Sequence, residues 1–303
     1  MKTTASPLRA ILFACAGFTL WVLVDTAIKL AAEASLPPHE VTAVLGFVGV
    51  AAMGMKAWRQ GTVRNLKPKN IRYQLIGALL SLAINLVNVI ALRHLPFIVF
   101  YITVFTAPMM IAVLAAIFLN EHPSRGKILA IIVGFAGVVV AINPFGANLH
   151  GDWIGYVTAT ASVFCFAAQM TLLRKMTQSE TGDSLVFIPV LMQTLVCGVW
   201  LLIDSEPMSL RIFLILCAGG VFGILGNLCS MLASKYAAAA TVAQFHYTQV
   251  LAGALIGFLI WHEVPGLWMV VGSTVIIGSG LYIAAHTRRG ENLAALKRVG
   301  QPS

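Results

Sequence analysis

Apolar residues run along this chain in stretches longer than a soluble core needs. Ten can be drawn, over residues 10–32, 40–58, 73–95, 97–119, 126–143, 152–173, 185–203, 211–233, 238–261 and 267–286. Each approaches the ~20 residues that carry a helix across a bilayer. Pro37, Pro38, Pro68, Pro96, Pro123, Pro144, Pro207 and Pro265 fall between them, where helices end. Lipid offers no partner for backbone N–H and C=O groups, so such segments span as α-helices. The pattern predicts an all-α integral membrane protein with ten transmembrane helices. The first apolar run continues to Ala32, too far for a cleaved leader, and is expected to stay as a helix.

Composition sharpens this. Of 303 residues, 59% are hydrophobic and 10% charged, against ~45–50% and ~25% in soluble domains. A soluble enzyme is excluded, and ten spans leave no length for a sizeable soluble domain. The net charge of +9 invites a nucleic-acid partner until its placement is read. With the N-terminus in the cytoplasm, every Lys and Arg falls on the cytoplasmic side except three. These are Lys29, inside the first span, and Arg93 and Arg211, in outer loops. Adding or removing one helix would scramble this positive-inside pattern. It predicts a multi-pass protein of the cytoplasmic (inner) membrane with both termini inside: a cytoplasmic segment 1–9 and a basic tail 287–303. Its partner is then the lipid bilayer, with no nucleic acid. Trp58, Trp153, Trp200, Trp261 and Trp268 fall at span ends, the depth that indole prefers. Trp21 sits near mid-span instead.

A shift of 142 residues lays Gly77 on Gly219, Asn85 on Asn227, Thr106 on Thr248, Glu121 on Glu263 and Pro123 on Pro265. Asn, Glu and Pro are scarce here, so their agreement in one register marks an internal repeat. The copies are residues 10–143 and 152–286, five helices each. Five is odd, so the second copy enters the membrane from the opposite face. Two inverted five-helix repeats are a signature of secondary transporters, whose substrate site lies near midplane between them.

Spans four and five read TAPMMIAVLAAIFLNEHPSRGKILAIIVGFAGVVVAI. This resembles the end of an EamA domain of the drug/metabolite transporter superfamily, with Pro108 in mid-helix, Glu121 closing the fourth helix, and Gly134 and Gly137 in the fifth. The second copy has Glu263 and Gly272, with Val250 in place of the proline. Trp21, Asp25 and Lys29 of the first helix fit as well. Gly46 stands near the place of an early basic residue in the family's second helix. The resemblance covers residues 10–286. It implies a secondary active or facilitative transporter that moves a small polar metabolite, such as an amino acid, by alternating access and usually outward.

A charge near the bilayer centre costs ~2.5–3.5 kcal/mol on insertion scales, so polar residues inside the spans are the candidate cavity. Asp25 and Lys29 stand at i, i+4 on one helix face, with Trp21 a turn further in. They read as an ion pair that orients the helix, with Lys29 snorkelling outward. They also read as the anion and cation that receive a zwitterion, with Asp25 the candidate proton carrier and protons the candidate coupling ion. Helix three carries Asn85 and Asn88, and helix eight carries Asn227, as helix glue or as cavity lining. Helix nine carries His246 and Gln249 near its middle. His246 is a satisfied core residue or a group that titrates near neutral pH. Tyr101 closes the cavity's outer end or sits in the aromatic belt. The candidate substrate cavity is therefore Trp21, Asp25, Lys29, Asn85, Asn88, Tyr101, Asn227, His246 and Gln249, walled by helices 1, 3, 4, 6, 8 and 9. Glu121 and Glu263 are candidate helix-end caps or gate residues.

A membrane-embedded enzyme or a channel is the alternative class. An enzyme needs a nucleophile with a base, paired carboxylates or a metal cluster. His39-Glu40 and His262-Glu263 lack the second His of HExxH, and Asp25 is the only acid at depth. No loop resembles a channel filter. No cofactor and no metal are expected. Cys15, Cys165, Cys197, Cys217 and Cys229 lie singly in apolar segments without a CxxC, and read as small core residues.

Overall fold

The computed structural model describes residues 7–104, 106–118, 125–142, 152–177, 179–236, 247–279 and 282. The described helices are α1 (Pro7–Glu33), α2 (Pro38–Arg59), a 3-10 turn (Val63–Leu66), α3 (Ile71–His94), α4 (Phe97–Val104), α5 (Ala107–Phe118), α6 (Arg125–Ile142), α7 (Trp153–Met176), α8 (Gly182–Leu201), α9 (Leu210–Tyr236), α10 (Tyr247–Trp261) and α11 (Leu267–Ser279). Six of them, α1, α2, α3, α7, α8 and α9, are each long and apolar enough to cross a membrane.

These helices follow the expected spans, with one difference. The fourth span is two helices, α4 and α5, with a turn at Thr106. The Thr106 hydroxyl donates to the Thr103 carbonyl at 2.8 Å. Pro108 lies in the first turn of α5 and has no N–H with which to continue the ladder of α4. Residues 119–124, which hold Glu121, and 237–246, which hold His246, lie outside the described residues.

Helix α1 lies along α9, α3 along α7, and α2 against α8. Helix α2 also touches α9, and α3 touches α8; α1 meets α10, and α5 meets α7. Trading each helix for its counterpart one repeat onward leaves this pattern unchanged. Helices α6 and α11 meet at Gly137 and Gly272. A Cβ on Gly272 would overlap the Gly137 carbonyl oxygen and the Ala141 amide nitrogen, so glycine is what lets the two backbones approach. Large apolar side chains such as Leu79, Ile132, Leu195, Val199 and Leu255 are left exposed. In water such faces would drive association; against acyl chains they are matched.

The basic end of the bundle is held by the α7–α8 loop. The Glu180 carboxylate accepts from the backbone amides of Lys69 at 2.9 Å and Asn70 at 2.6 Å, from Gln74 at 3.3 Å and from Ser184 at 3.4 Å. Burial pushes the Glu180 carboxyl up, but the four hydrogen bonds outweigh it and hold the group below its ordinary 4.5. A depressed carboxyl stabilises the fold fully above its ordinary value, and the contribution is lost as pH falls through the folded value. Thermal melts below pH 4.5 are therefore expected to show an acid-dependent loss that Glu180→Gln lacks. Parallel pH profiles for the two proteins would sink this assignment. At the opposite end His39 stacks on Trp200 with centroids 4.8 Å apart, and Trp261 donates to Glu33 at 2.6 Å.

Candidate functional site

A cavity of about 190 Å³ lies between the packed helices. On α3 its lining runs from Gln74 to Asn88, about 21 Å along the axis at 1.5 Å per residue. Trp21, Asp25, Asn85, Asn88, Asn227 and Gln249 all line it. The structure thus gathers six of the nine expected cavity residues, from four helices, in one space.

Asp25 is the only ionisable side chain among the described lining residues. Its Oδ2 accepts from the Tyr101 hydroxyl at 2.7 Å. Its other oxygen has no protein partner among the described residues. Tyr101 is 2% exposed, and its ring lies so close to α10 that a Cβ on Gly253 would come within 2.5 Å of it. Tyr101 therefore stands behind Asp25 rather than in the lining.

A turn inward, the Trp21 indole donates to Asn227 Oδ1 at 3.2 Å. Its ring meets Phe18 and Phe166 edge-on. Asn85 donates to the Ser81 carbonyl at 2.9 Å, Asn88 Oδ1 accepts from the Ser162 hydroxyl, and Gln193 donates to Ser81 Oγ at 3.0 Å. Two lining atoms are buried with no hydrogen-bond partner among the described residues, Gln249 Oε1 and Ser230 Oγ.

Lys29 is elsewhere. Its ammonium lies 3.0 Å from Glu263 Oε1 and 3.5 Å from the Leu95 carbonyl oxygen. It also sits over the rings of Trp261 and Phe97, at 4.6 and 5.6 Å. Glu263 in turn accepts from the amides of Phe97 and Ile98, both at 2.8 Å. These are the first two residues of α4, so the carboxylate caps the positive end of that helix. The Asp25–Lys29 ion pair expected from i, i+4 spacing does not form. Asp25 finds its partner on α4 and Lys29 finds its partner in the loop after α10, and Lys29, Glu263 and Tyr101 lie outside the cavity lining.

The apolar wall was missed by the sequence reading. Helix α8 contributes Leu185, Val186, Pro189 and Val190, and α2 contributes Leu45, all indistinguishable in composition from lipid-facing residues. Gln193, a single amide in the seventh apolar run, was the available signal for α8.

The sequence signature of the EamA-like transporter family matches residues 8–143 and again residues 153–285. The chain belongs to this family, as the motifs of spans four and five implied, and it is an all-helical, multi-pass membrane protein. The pseudopaline exporter of Pseudomonas aeruginosa is 23% identical over 276 residues, 91% of this chain and 95% of that protein. The S-adenosylmethionine uptake transporter of Rickettsia bellii is 25% identical over 184 residues, 59% of this chain and 60% of that one. The riboflavin transporter of Brucella anthropi is 22% identical over 231 residues, 74% and 80% of the two chains. A crystal structure of a protein superposes with a TM-score of 0.71 at 17% identity, covering 94% of this chain and 100% of that one, a likeness of fold.

Proposed function

We propose that the chain carries a small metabolite across the cytoplasmic membrane by alternating access around this cavity. The inverted repeats 10–143 and 152–286 are the two halves that move, and both termini lie in the cytoplasm. One observation carries the reading: the cavity is enclosed by helices of both halves and presents buried polar atoms, Gln249 Oε1 and Ser230 Oγ, with no protein partner among the described residues. Buried polar atoms are normally hydrogen-bonded, and a passing solute supplies the partner. The one-sided Lys and Arg distribution puts the end covered by Lys29 and Glu263 toward the outside. The relatives act on unlike solutes and in both directions, so their names support the class of small metabolites. Export is favoured by the pseudopaline exporter, which aligns along nearly its whole length. Protons fit as coupling ion through Asp25, the sole ionisable group in the described lining.

Gly223 lines the cavity, and a Cβ there meets only Val24, at 3.7 Å. Gly223→Trp should therefore place an indole in the cavity without forcing helices apart. Liposomes loaded with a soluble cell extract and bearing the wild-type protein are expected to lose a small set of solutes, read by mass spectrometry. Liposomes with Gly223→Trp are expected to retain them, while the variant's melting temperature stays within a few degrees of wild type. Identical retention in the two preparations would overturn the proposal.

A further inference from the structure

We infer that the solute selected by this cavity is an amphipathic organic cation, with a protonated amine or similar cationic head on an apolar body. This rests on the transport reading above and narrows it to a substrate class.

The charge balance of the site points there first. Asp25 faces the cavity with one oxygen held by Tyr101 and the other free of protein partners among the described residues. The nearest cation in sequence, Lys29, is engaged 3.0 Å away by Glu263 and lies outside the lining. The carboxylate thus has a phenol hydroxyl and, among the described residues, no protein cation beside it. A carboxylate withdrawn from water is costly until a positive group joins it; none of the described lining residues supplies one, and an entering solute can. An anion would meet no positive side chain among the described lining residues. The carboxylate of a zwitterion would fare no better, since the residue expected to receive it is already paired.

The polarity of the wall gives the rest of the molecule. Near Asp25 the lining is polar, with Asn85, Asn88 and Ser162. Toward the basic end it becomes Met170, Leu173, Met176, Pro189 and Met231. The amides at that level are engaged by the protein, Gln74 by Glu180 and Ser184 and Gln169 by the Gly77 carbonyl, which leaves the Ser230 hydroxyl as the unpartnered polar group there among the described residues. Methionine walls adapt to varied apolar shapes. The Trp21 indole also lines the cavity, and indole is the ring that attracts cations best. A head at Asp25 and a body extending toward the basic end satisfies both regions.

Tryptamine, tryptophan and indole-3-propionate share one apolar body and are a cation, a zwitterion and an anion at neutral pH. Binding of each to the purified full chain can be read by calorimetry and by thermal stabilisation. Tryptamine is expected to bind and stabilise the wild type, and the other two are not. Asp25→Asn, melting within a few degrees of wild type, is expected to weaken tryptamine binding roughly ten- to a hundredfold, with partial retention in Asp25→Glu. Gly223→Trp is expected to abolish it. Tight binding of indole-3-propionate or tryptophan to the wild type overturns the cation class, as does absence of tryptamine binding. Tryptamine binding kept in Asp25→Asn but lost in Gly223→Trp overturns the cation class and leaves the cavity reading standing. Binding kept in both overturns the cavity reading itself. Should Asp25→Asn fail to fold, Asp25→Glu and the charge series on wild type decide the matter.

Discussion

Glu263→Ala is expected to lower stability by about 3–5 kcal/mol, the range for removing one member of a buried pair. The substitution strands three donors at once. The Lys29 side chain is 6% exposed and that of Glu263 16%, so water reaches the ammonium poorly. The amides of Phe97 and Ile98 lose their acceptor at the same moment. Lys29→Met should cost less, because Glu263 keeps both amides and the positive end of α4. Glu263→Gln should fall between, keeping an acceptor oxygen while losing the charge. Unfolding of the three variants in micelles measures the order. An alanine variant no weaker than Lys29→Met would show that the capping of α4 contributes little. The same variants test the proposal that Lys29 and Glu263 cover the outer end of the cavity: a probe too polar to cross lipid should reach Asp25-level positions from outside more readily in Glu263→Ala.

The second large effect is expected at Gly226→Ala. A Cβ there would lie 2.7 Å from Trp21 Cδ1 and 2.8 Å from its Nε1. Phe18 and Phe166 flank the indole edge-on, and the open space beside it is the cavity it lines. Relief requires α1 to move off α9 or the Trp21–Asn227 hydrogen bond to break. Overpacking of this kind costs about 1–3 kcal/mol, and it removes part of the cavity wall, so exchange across liposomes should fall sharply. Gly198→Ala is the control. Its Cβ would meet nothing within 4 Å, and the change should be neutral or stabilising by about 0.5–1 kcal/mol through helix propensity. Equal effects at the two positions would mean that the Trp21 contact does not matter.

The spans were legible because lipid imposes a length and a composition on them. The residues brought to the cavity were legible where they were polar at depth, as Asp25, Asn85, Asn88, Asn227 and Gln249 are, since a polar group there needs a partner or a cavity. What sequence spacing misassigned was partnership. Asp25 and Lys29 are four apart on one helix, and that proximity suggested a pair. Yet Lys29 meets a carboxylate 234 residues away, and Asp25 a hydroxyl 76 residues away. Helix rotation and helix neighbourhood decide such pairs, and neither is written in the hydropathy of a single span. The α8 wall was hidden for the related reason that an apolar cavity face and a lipid face use the same residues.

The packing order of the helices has a consequence for how the chain is made. Helix α1 has its most extensive contact with α9, α2 with α8 and α3 with α7, so every principal pair joins an early helix to a late one. At a synthesis rate of ~5–20 residues per second, α9 leaves the ribosome on the order of ten to forty seconds after α1. Throughout that interval Lys29 lacks Glu263, which is made later still, and α1 waits with an unpaired ammonium near the membrane surface. Contacts within either half are sparser than those between the halves, so the early helices complete their packing once the late ones arrive. The first-half helices therefore spend that interval in the membrane without their principal partners.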